Sequence, residues 1–319
     1  MELVPISLPI EIVLHIVEAL RPKYNNVLVS PSHPITQTLL SFTLVCHATR
    51  RVANRALLQH CIYLSSKARL RSFLLTASNR PGPCKIEALF LSPFDESGYD
   101  HPTATSIRDL FAHVFPSLRR LIIDIPLLSL RRGDGSLGAR QVLRDGLSRL
   151  ENLEEFVSVH KELPFRDHSG NWTRWPNLRR LALFNVAATP KFWADIAAMA
   201  RLETLVLTCA DTLATVDVKR EYFRFSPRPL KVLVVNVASE QLQYSHMTGR
   251  RSWDRIDPHK IMTLMTYDVP TFFEEDSVTE VCQEFVKAGA ENGTLWEWEG
   301  DIIPHPPRVW SENWQAFLD

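Results

Sequence analysis

The chain has no surplus of charge of either sign: 36 Lys and Arg balance 36 Asp and Glu over 319 residues, and the pI is near 7.2. Without a global positive field nothing holds a nucleic-acid backbone or an anionic membrane surface by charge alone, so neither is expected as a partner. No uninterrupted apolar run approaches the roughly eighteen residues of a membrane span. Cysteine is sparse: Cys46, Cys61, Cys84, Cys209 and Cys282 are scattered, odd in number and form no Cys-x-x-Cys pair. That excludes a disulfide framework or a zinc ribbon and reads as reduced, mostly buried thiols. The first apolar run is broken by Pro5 and Pro9 and by Glu2, Glu11 and Glu18, with no basic leader, so no signal peptide is expected. An intracellular location, cytoplasm or nucleus, follows as the expectation. The sequons Asn171-Trp172-Thr173 and Asn292-Gly293-Thr294 would then be silent.

Chemistry is also missing. The sequence holds no P-loop, no Gly-x-Ser-x-Gly elbow and no His-Glu-x-x-His pair, and its eleven histidines form no clustered ligand set. Gly133-Asp134-Gly135-Ser136-Leu137-Gly138 spells a dinucleotide fingerprint, but Pro126 and Arg131-Arg132 separate it from the predicted strand Arg120 to Ile125, which makes it a flexible loop. The acidic run Asp268, Glu274, Glu275 and Asp276 reads as a solvated loop. No catalytic residue, cofactor or metal site is assigned, and the chain is expected to be non-enzymatic.

What is present is a repeat. Leu-x-x-Leu-x-Leu-like strings occur at Ile86-Leu89-Leu91, Leu118-Leu121-Ile123, Leu153-Phe156-Ser158, Leu178-Leu181-Leu183, Leu202-Leu205-Leu207 and Leu230-Leu233-Val235, with first residues 32, 35, 25, 24 and 28 apart. The second and third apolar positions, two residues apart, share one face of a strand. Phe115-Pro116-Ser117-Leu118-Arg119-Arg120-Leu121 closely parallels Trp175-Pro176-Asn177-Leu178-Arg179-Arg180-Leu181. Helical segments Ala104 to Val114, Ala139 to Leu150 and Pro190 to Ala200 lie between the strings. Strand, helix, strand at this spacing predicts a parallel sheet with one layer of helices, stacked as an α/β solenoid rather than doubly wound. The pattern resembles a degenerate leucine-rich repeat over residues 84 to 270, with a last strand at Ile261 to Val269; Asn185 and Asn236 come nearest to the family's consensus Asn.

The ends differ from this array. Toward the C-terminus Asp276 or Ser277 is placed to cap a helix through Ala290, with Glu280 completing a capping-box pattern and Gly293 stopping the helix. Leu295-Trp296-Glu297-Trp298-Glu299 alternates as a strand, and Trp310 and Trp314 follow. Residues 271–319 therefore read as a terminal cap, or alternatively as a target-binding surface built on Trp296, Trp298, Trp310 and Trp314. The charges are polarised: residues 1–75 carry a net +5 and residues 269–319 a net −9.

Near the N-terminus Ser7 and Pro9 suit a helix start, and Leu8, Ile12, Ile16 and Leu20 recur every fourth residue as one apolar stripe. A second apolar helix is expected around Leu44-Val45-Cys46, the helix pair being too small to own a core. The set Leu8, Pro9, Glu11, Ile12, Ile16, Leu20, Leu44, Val45, Cys46, Arg50 and Ala53 resembles an F-box, Leu-Pro-x-Glu-Ile followed by Leu-x-x-Val-Cys, and looks most like fungal F-box proteins. That resemblance implies a three-helix module over residues 1–64, a connecting helix and linker over 65–83, the repeat array over 84–270 and the cap over 271–319. It further implies docking on an acidic Skp-family adaptor, which the basic N-terminal segment suits, and through it on a cullin scaffold. The contacts would come from Leu8, Pro9, Glu11, Ile12, Ile16, Leu20, Leu44, Val45, Cys46 and Arg50, the repeat array presenting an unidentified protein to a ubiquitin ligase. The alternative is a leucine-rich-repeat scaffold without a ligase role, its N-terminal helices a mere cap.

Overall fold

A computed structural model describes residues 8–21, 27–78, 85–94, 100–125, 136–161, 171–213, 216–237, 253–270 and 277–302. Three helices come first: α1 (Ile10–Ala19), α2 (Pro34–Phe42) and α3 (His47–His60). Pro9 precedes α1, its carbonyl accepting from Ile12 N at 3.1 Å and Val13 N at 3.2 Å; Ser7 lies outside the described residues. Pro34 opens α2 behind the His33 ring, which accepts from Ile35 N. Cys46 caps α3, where its N–H donates to Thr49 Oγ1 at 3.1 Å and the Thr49 hydroxyl returns to Cys46 O at 3.0 Å. Leu44-Val45-Cys46 is therefore a turn and a cap rather than a helix: α2 ends at Phe42, with the Thr43 hydroxyl donating back to Leu40 O, and the Thr49 hydroxyl caps the start of α3. Nor do the helices lack a core. Val17, Leu39, Ala53 and Ala56 are buried together, with Leu20, Ile35, Phe42, Val52 and Leu57 packed around them.

The rest alternates strand and helix. In chain order come β1 (Tyr63–Leu64), α4 (Lys67–Ser78), β2 (Ala88–Leu91), α5 (His101–Val114), β3 (Arg120–Ile123), α6 (Ser136–Leu147), β4 (Glu155–Lys161), β5 (Arg180–Phe184), α7 (Pro190–Ala198), β6 (Thr204–Thr208), α8 (Val218–Phe223), β7 (Leu230–Val237), α9 (Trp253–Ile256), β8 (Met262–Val269), α10 (Val278–Glu291) and β9 (Asp301–Ile302). They form one nine-stranded sheet in strict sequence order, β1 to β8 parallel and β9 antiparallel at the edge. The fold is thus α/β with a mostly parallel open sheet, compatible with a solenoid. Among the described residues no helix is long and apolar enough to cross a membrane.

The stacking repeats atom for atom. Glu87 O accepts from Arg119 N and Arg120 N, Arg119 O from Glu154 N and Glu155 N, Glu154 O from Arg179 N and Arg180 N, and Arg179 O from Glu203 N and Thr204 N. Side chains repeat the bond at the lead-in turn: Ser117 Oγ reaches Ile86 O, Asn152 reaches Pro116 O, and Asn177 reaches Glu151 O. Asn185 and Cys209 follow adjacent strands, both with left-handed backbone (φ 46° and 47°). Asn tolerates that conformation and Cys does so less readily.

Alternation along the strands separates two cores. Leu89, Leu91, Leu121, Ile123, Phe156, Leu181, Leu183, Leu205, Leu207, Val232 and Val234 face the layer of α4 to α9. Phe90, Ile122, Val157, Ala182, Val206, Leu233 and Val235 face the other way, toward α10. Three expectations need correction. The string Leu230-Leu233-Val235 is out of register by one, since Leu205 pairs with Val232 and Leu207 with Val234, and a one-residue slip exchanges faces. A single helical layer was also expected, but α10 covers the second face. Tyr63 and Leu64, assigned to the N-terminal module, are the first sheet strand.

Candidate functional site

Two regions carry the residues singled out by the sequence. The first is the outer surface of α1 to α3. Helix α1 turns Val17 inward and half-buries Val13, Leu14 and Leu20, so Leu8, Pro9, Ile10, Glu11, Ile12 and Ile16 are left exposed. The predicted stripe is therefore divided: Leu20 packs on the module's core, and Leu8, Ile12 and Ile16 point to solvent. At the α2–α3 turn Leu44 is 87% exposed and Val45 65%, with Cys46 and Arg50 exposed beside them in sequence. Hydrogen bonds from Thr49 hold the Cys46 thiol below its ordinary pKa. Ile10 and Leu40, which pattern reading did not select, belong to the same exposed set. Of the eleven large apolar side chains exposed among the described residues, seven lie between Leu8 and Val45.

The second region is the sheet face under α10. Cys282, Val286 and Ala290 are buried there, four residues apart. Cys282 lies in an apolar environment beside Cys209, and this neighbour together with burial raises its thiol pKa. A ladder of charge crosses the strands at one level, Arg120 opposite Glu155 and Glu155 opposite Arg180. Arg120 is only 3% exposed; its Nε stands 3.2 Å from Glu155 Oε2, and its guanidinium also donates to Ala290 O at the end of α10. Burial lowers the Arg120 pKa, opposed by the Glu155 carboxylate. Glu155 accepts from Arg180 at 2.6 Å and from Trp296 Nε1 at 3.1 Å. At the other end of the strands, Asp124 is held by His160 at 2.8 Å and Lys287 at 2.5 Å. Burial alone would raise the Asp124 carboxyl; these two bonds bring it below its ordinary value.

The tryptophans were expected to alternate along a strand. Instead Leu295–Glu297 forms one turn of 3₁₀ helix. Trp296 is buried against the sheet, which withdraws it from any open contact surface, and Lys231 Nζ clamps the carbonyls of Trp296 and Trp298 at 3.4 and 3.0 Å. Trp298 stacks on Tyr267 with ring centroids 4.6 Å apart. It lies over Gly289, where an added Cβ would come within 2.4 Å of the indole. Trp296 and Trp298 both pack with α10 over the sheet face; Trp310 and Trp314 lie outside the described residues. Ser277 precedes α10 without a side-chain cap bond, so the expected capping box is not formed, whereas Gly293 ends the helix with φ 80°. Gly133 and Gly135 lie outside the described residues, and Gly138 is inside α6. No model of a known family matches the chain, and no curated protein is significantly similar to it.

Proposed function

We propose that the chain is the target-recognition subunit of an SCF-type ubiquitin ligase, an intracellular adaptor rather than an enzyme, in which α1 to α3 dock on a Skp-family protein that in turn binds a cullin. The observation that carries this reading is the concentration of exposed apolar side chains on one small module: Leu8, Ile10, Ile12, Ile16, Leu40, Leu44 and Val45. Water-facing Leu and Ile at that density stabilise nothing in the isolated chain, and apolar surface of this kind marks an interaction site. Five of these, Leu8, Ile12, Ile16, Leu44 and Val45, also belong to the F-box resemblance, Leu8-Pro9-x-Glu11-Ile12 at the start of α1 and Leu44-Val45-Cys46 at the α2–α3 turn. The repeat array, rigidly stacked through its ladder of strands, then serves to hold a protein target near the ubiquitin-loaded enzyme and raise its effective concentration. The test is co-purification of a Skp-family adaptor with the wild-type chain and with Leu8→Ala/Pro9→Ala. Both positions are exposed, so the variant keeps its fold while the adaptor is lost. An adaptor retained by the variant refutes the assignment.

A further inference from the structure

Between Glu18 and Glu87 the sequence holds no Asp or Glu, although these two make up 36 of its 319 residues, while ten Lys and Arg fall in the same interval. A chain balanced overall therefore has one acid-free stretch. Part of it forms α3 and α4, on either side of β1 in the chain. Between them lies an open cleft of about 320 Å³, lined by Leu58 of α3, Ile62 and Leu64 at β1, and Arg69, Phe73 and Ala77 of α4. Each helix sets apolar and cationic side chains on one stripe. On α3, Arg51, Arg55 and Leu58 follow at steps of four and three and share a face, the one turned away from buried Ala53, Ala56 and His60. On α4, Arg69, Phe73 and Ala77 follow at steps of four. Arg51, Arg55 and Arg69 are exposed, and among the described residues none of their guanidinium groups has an ion-pair partner. Lys67, at the start of α4, is by contrast paired with Asp100 at 2.9 Å. The cleft is at the small end of ligand pockets, about 300–1,000 Å³, and being open it suits a side chain of a larger partner.

We propose that the α3–α4 cleft is a docking site for an acidic peptide segment of a partner protein, whose large apolar side chain enters between Leu58 and Phe73 while flanking Asp or Glu residues meet Arg51, Arg55 and Arg69. Charge complementarity selects this occupant. Three cations with no carboxylate of their own, set beside an apolar floor, favour an acidic amphipathic segment over a neutral one. Nucleic acid would need a wider basic field than a chain of zero net charge supplies. None of these cleft residues is among those assigned to the adaptor, and the test below contains no adaptor.

A random peptide library selected on the immobilised full-length chain supplies the probe, and a fluorescein-labelled copy of the most enriched peptide reports affinity by anisotropy. Enriched peptides should carry Asp or Glu on both sides of a Leu, Phe or Trp. Arg51→Ala/Arg69→Ala should weaken binding about tenfold, and added salt should weaken it in the wild-type chain. Ser72→Trp, at an exposed position lining the cleft, should fill the floor and abolish binding. Arg71→Ala, two residues from Arg69 and so turned away from the cleft, should change affinity by less than about twofold. All the substituted side chains are exposed, so unfolding temperatures should match the wild type. A selection that enriches nothing or enriches neutral peptides, binding indifferent to Arg51→Ala/Arg69→Ala or to Ser72→Trp, or an equal loss from Arg71→Ala overturns the proposal. Loss of the peptide in Leu44→Asp/Val45→Asp also overturns it, since the peptide would then sit on the adaptor face. So do displacement by single-stranded RNA with the same arginine dependence, which makes the site a general anion surface, and self-association through these arginines, which makes a second copy the occupant.

Discussion

Glu155 and Glu154 are neighbours on β4 and its lead-in, yet a change of each to Gln should differ several-fold in cost. Glu154 pairs with Arg119 at 2.7 Å where both side chains are well exposed, and such pairs contribute under about 1 kcal/mol. Glu155 instead neutralises Arg120, which water cannot reach, while also taking Arg180 and Trp296 Nε1. Glu155→Gln leaves the Arg120 guanidinium buried without a counter-charge, a class of change that costs about 3–5 kcal/mol. The lower end applies, because Arg180 is partly exposed and keeps some solvation. Unfolding entropy of about 2.1 cal/mol/K per residue gives a chain of this length roughly 0.7 kcal/mol/K, so about 3 kcal/mol lowers Tm by about 4–5 °C. Scanning calorimetry on wild type, Glu154→Gln and Glu155→Gln reads the contrast directly. The double variant Arg120→Met/Glu155→Met should recover most of the loss, since apolar replacement of a buried pair is often neutral. Equal Tm shifts for the two single variants would refute the buried-ladder argument.

Three other perturbations follow from the same geometry. In α2, Leu39 is fully buried and Leu40 is 45% exposed; Leu39→Ala should cost about 2–5 kcal/mol in urea unfolding and Leu40→Ala under about 1 kcal/mol, while only the latter is expected to weaken adaptor binding. Lys219 and Asp257 pair at 2.7 Å with 2% and 1% side-chain exposure. Lys219→Met strands a carboxylate that also orders Ile261 N and Met262 N, and should cost about 3–5 kcal/mol, against no measurable change for Lys191→Met at an exposed pair. The α10 seat should also respond to pH in two opposite senses. Asp124 is held below its ordinary pKa, so its contribution is present above about pH 3.9, the unfolded value, and is lost as pH falls through the folded value. Burial raises Glu291, so its contribution is full below about pH 4.3 and is lost as pH rises through its folded pKa. Asp124→Asn should therefore destabilise least in acid, and Glu291→Gln should look more favourable near about pH 7 than near about pH 4; parallel profiles for the two would contradict the assignment.

Much of the array was legible because burial at alternate positions repeats coil after coil: Leu121 and Ile123, Leu181 and Leu183, and Leu205 and Leu207 all lie where two-residue spacing put them. The register failed at Leu230 because both faces of β7 are apolar, so periodicity could not tell Leu233 from Val232. The charged column Arg120, Glu155 and Arg180 stood one residue before the second apolar position in three successive strings, a signal that pointed to a ladder. Sequence alone gave it no cover, since nothing local says that α10 folds back over that face. For the same reason the sequence left Trp296 and Trp298 open between a terminal cap and a binding surface, since their surroundings come from β4, β7 and β8. On the N-terminal module the apolar letters were visible but their direction was not, because Leu8, Ile12, Ile16 and Leu20 share a spacing that does not reveal Val17 as the residue facing α3.

The central claim, that α1 to α3 present a docking face, is tested most directly by calorimetric titration of the purified full-length chain with a purified Skp-family adaptor. The account predicts saturable one-to-one binding for wild type and its loss in Leu44→Asp/Val45→Asp, with the unfolding transition unchanged because both side chains already face water. No heat of binding with the wild-type chain, or undiminished binding by the variant, would contradict it.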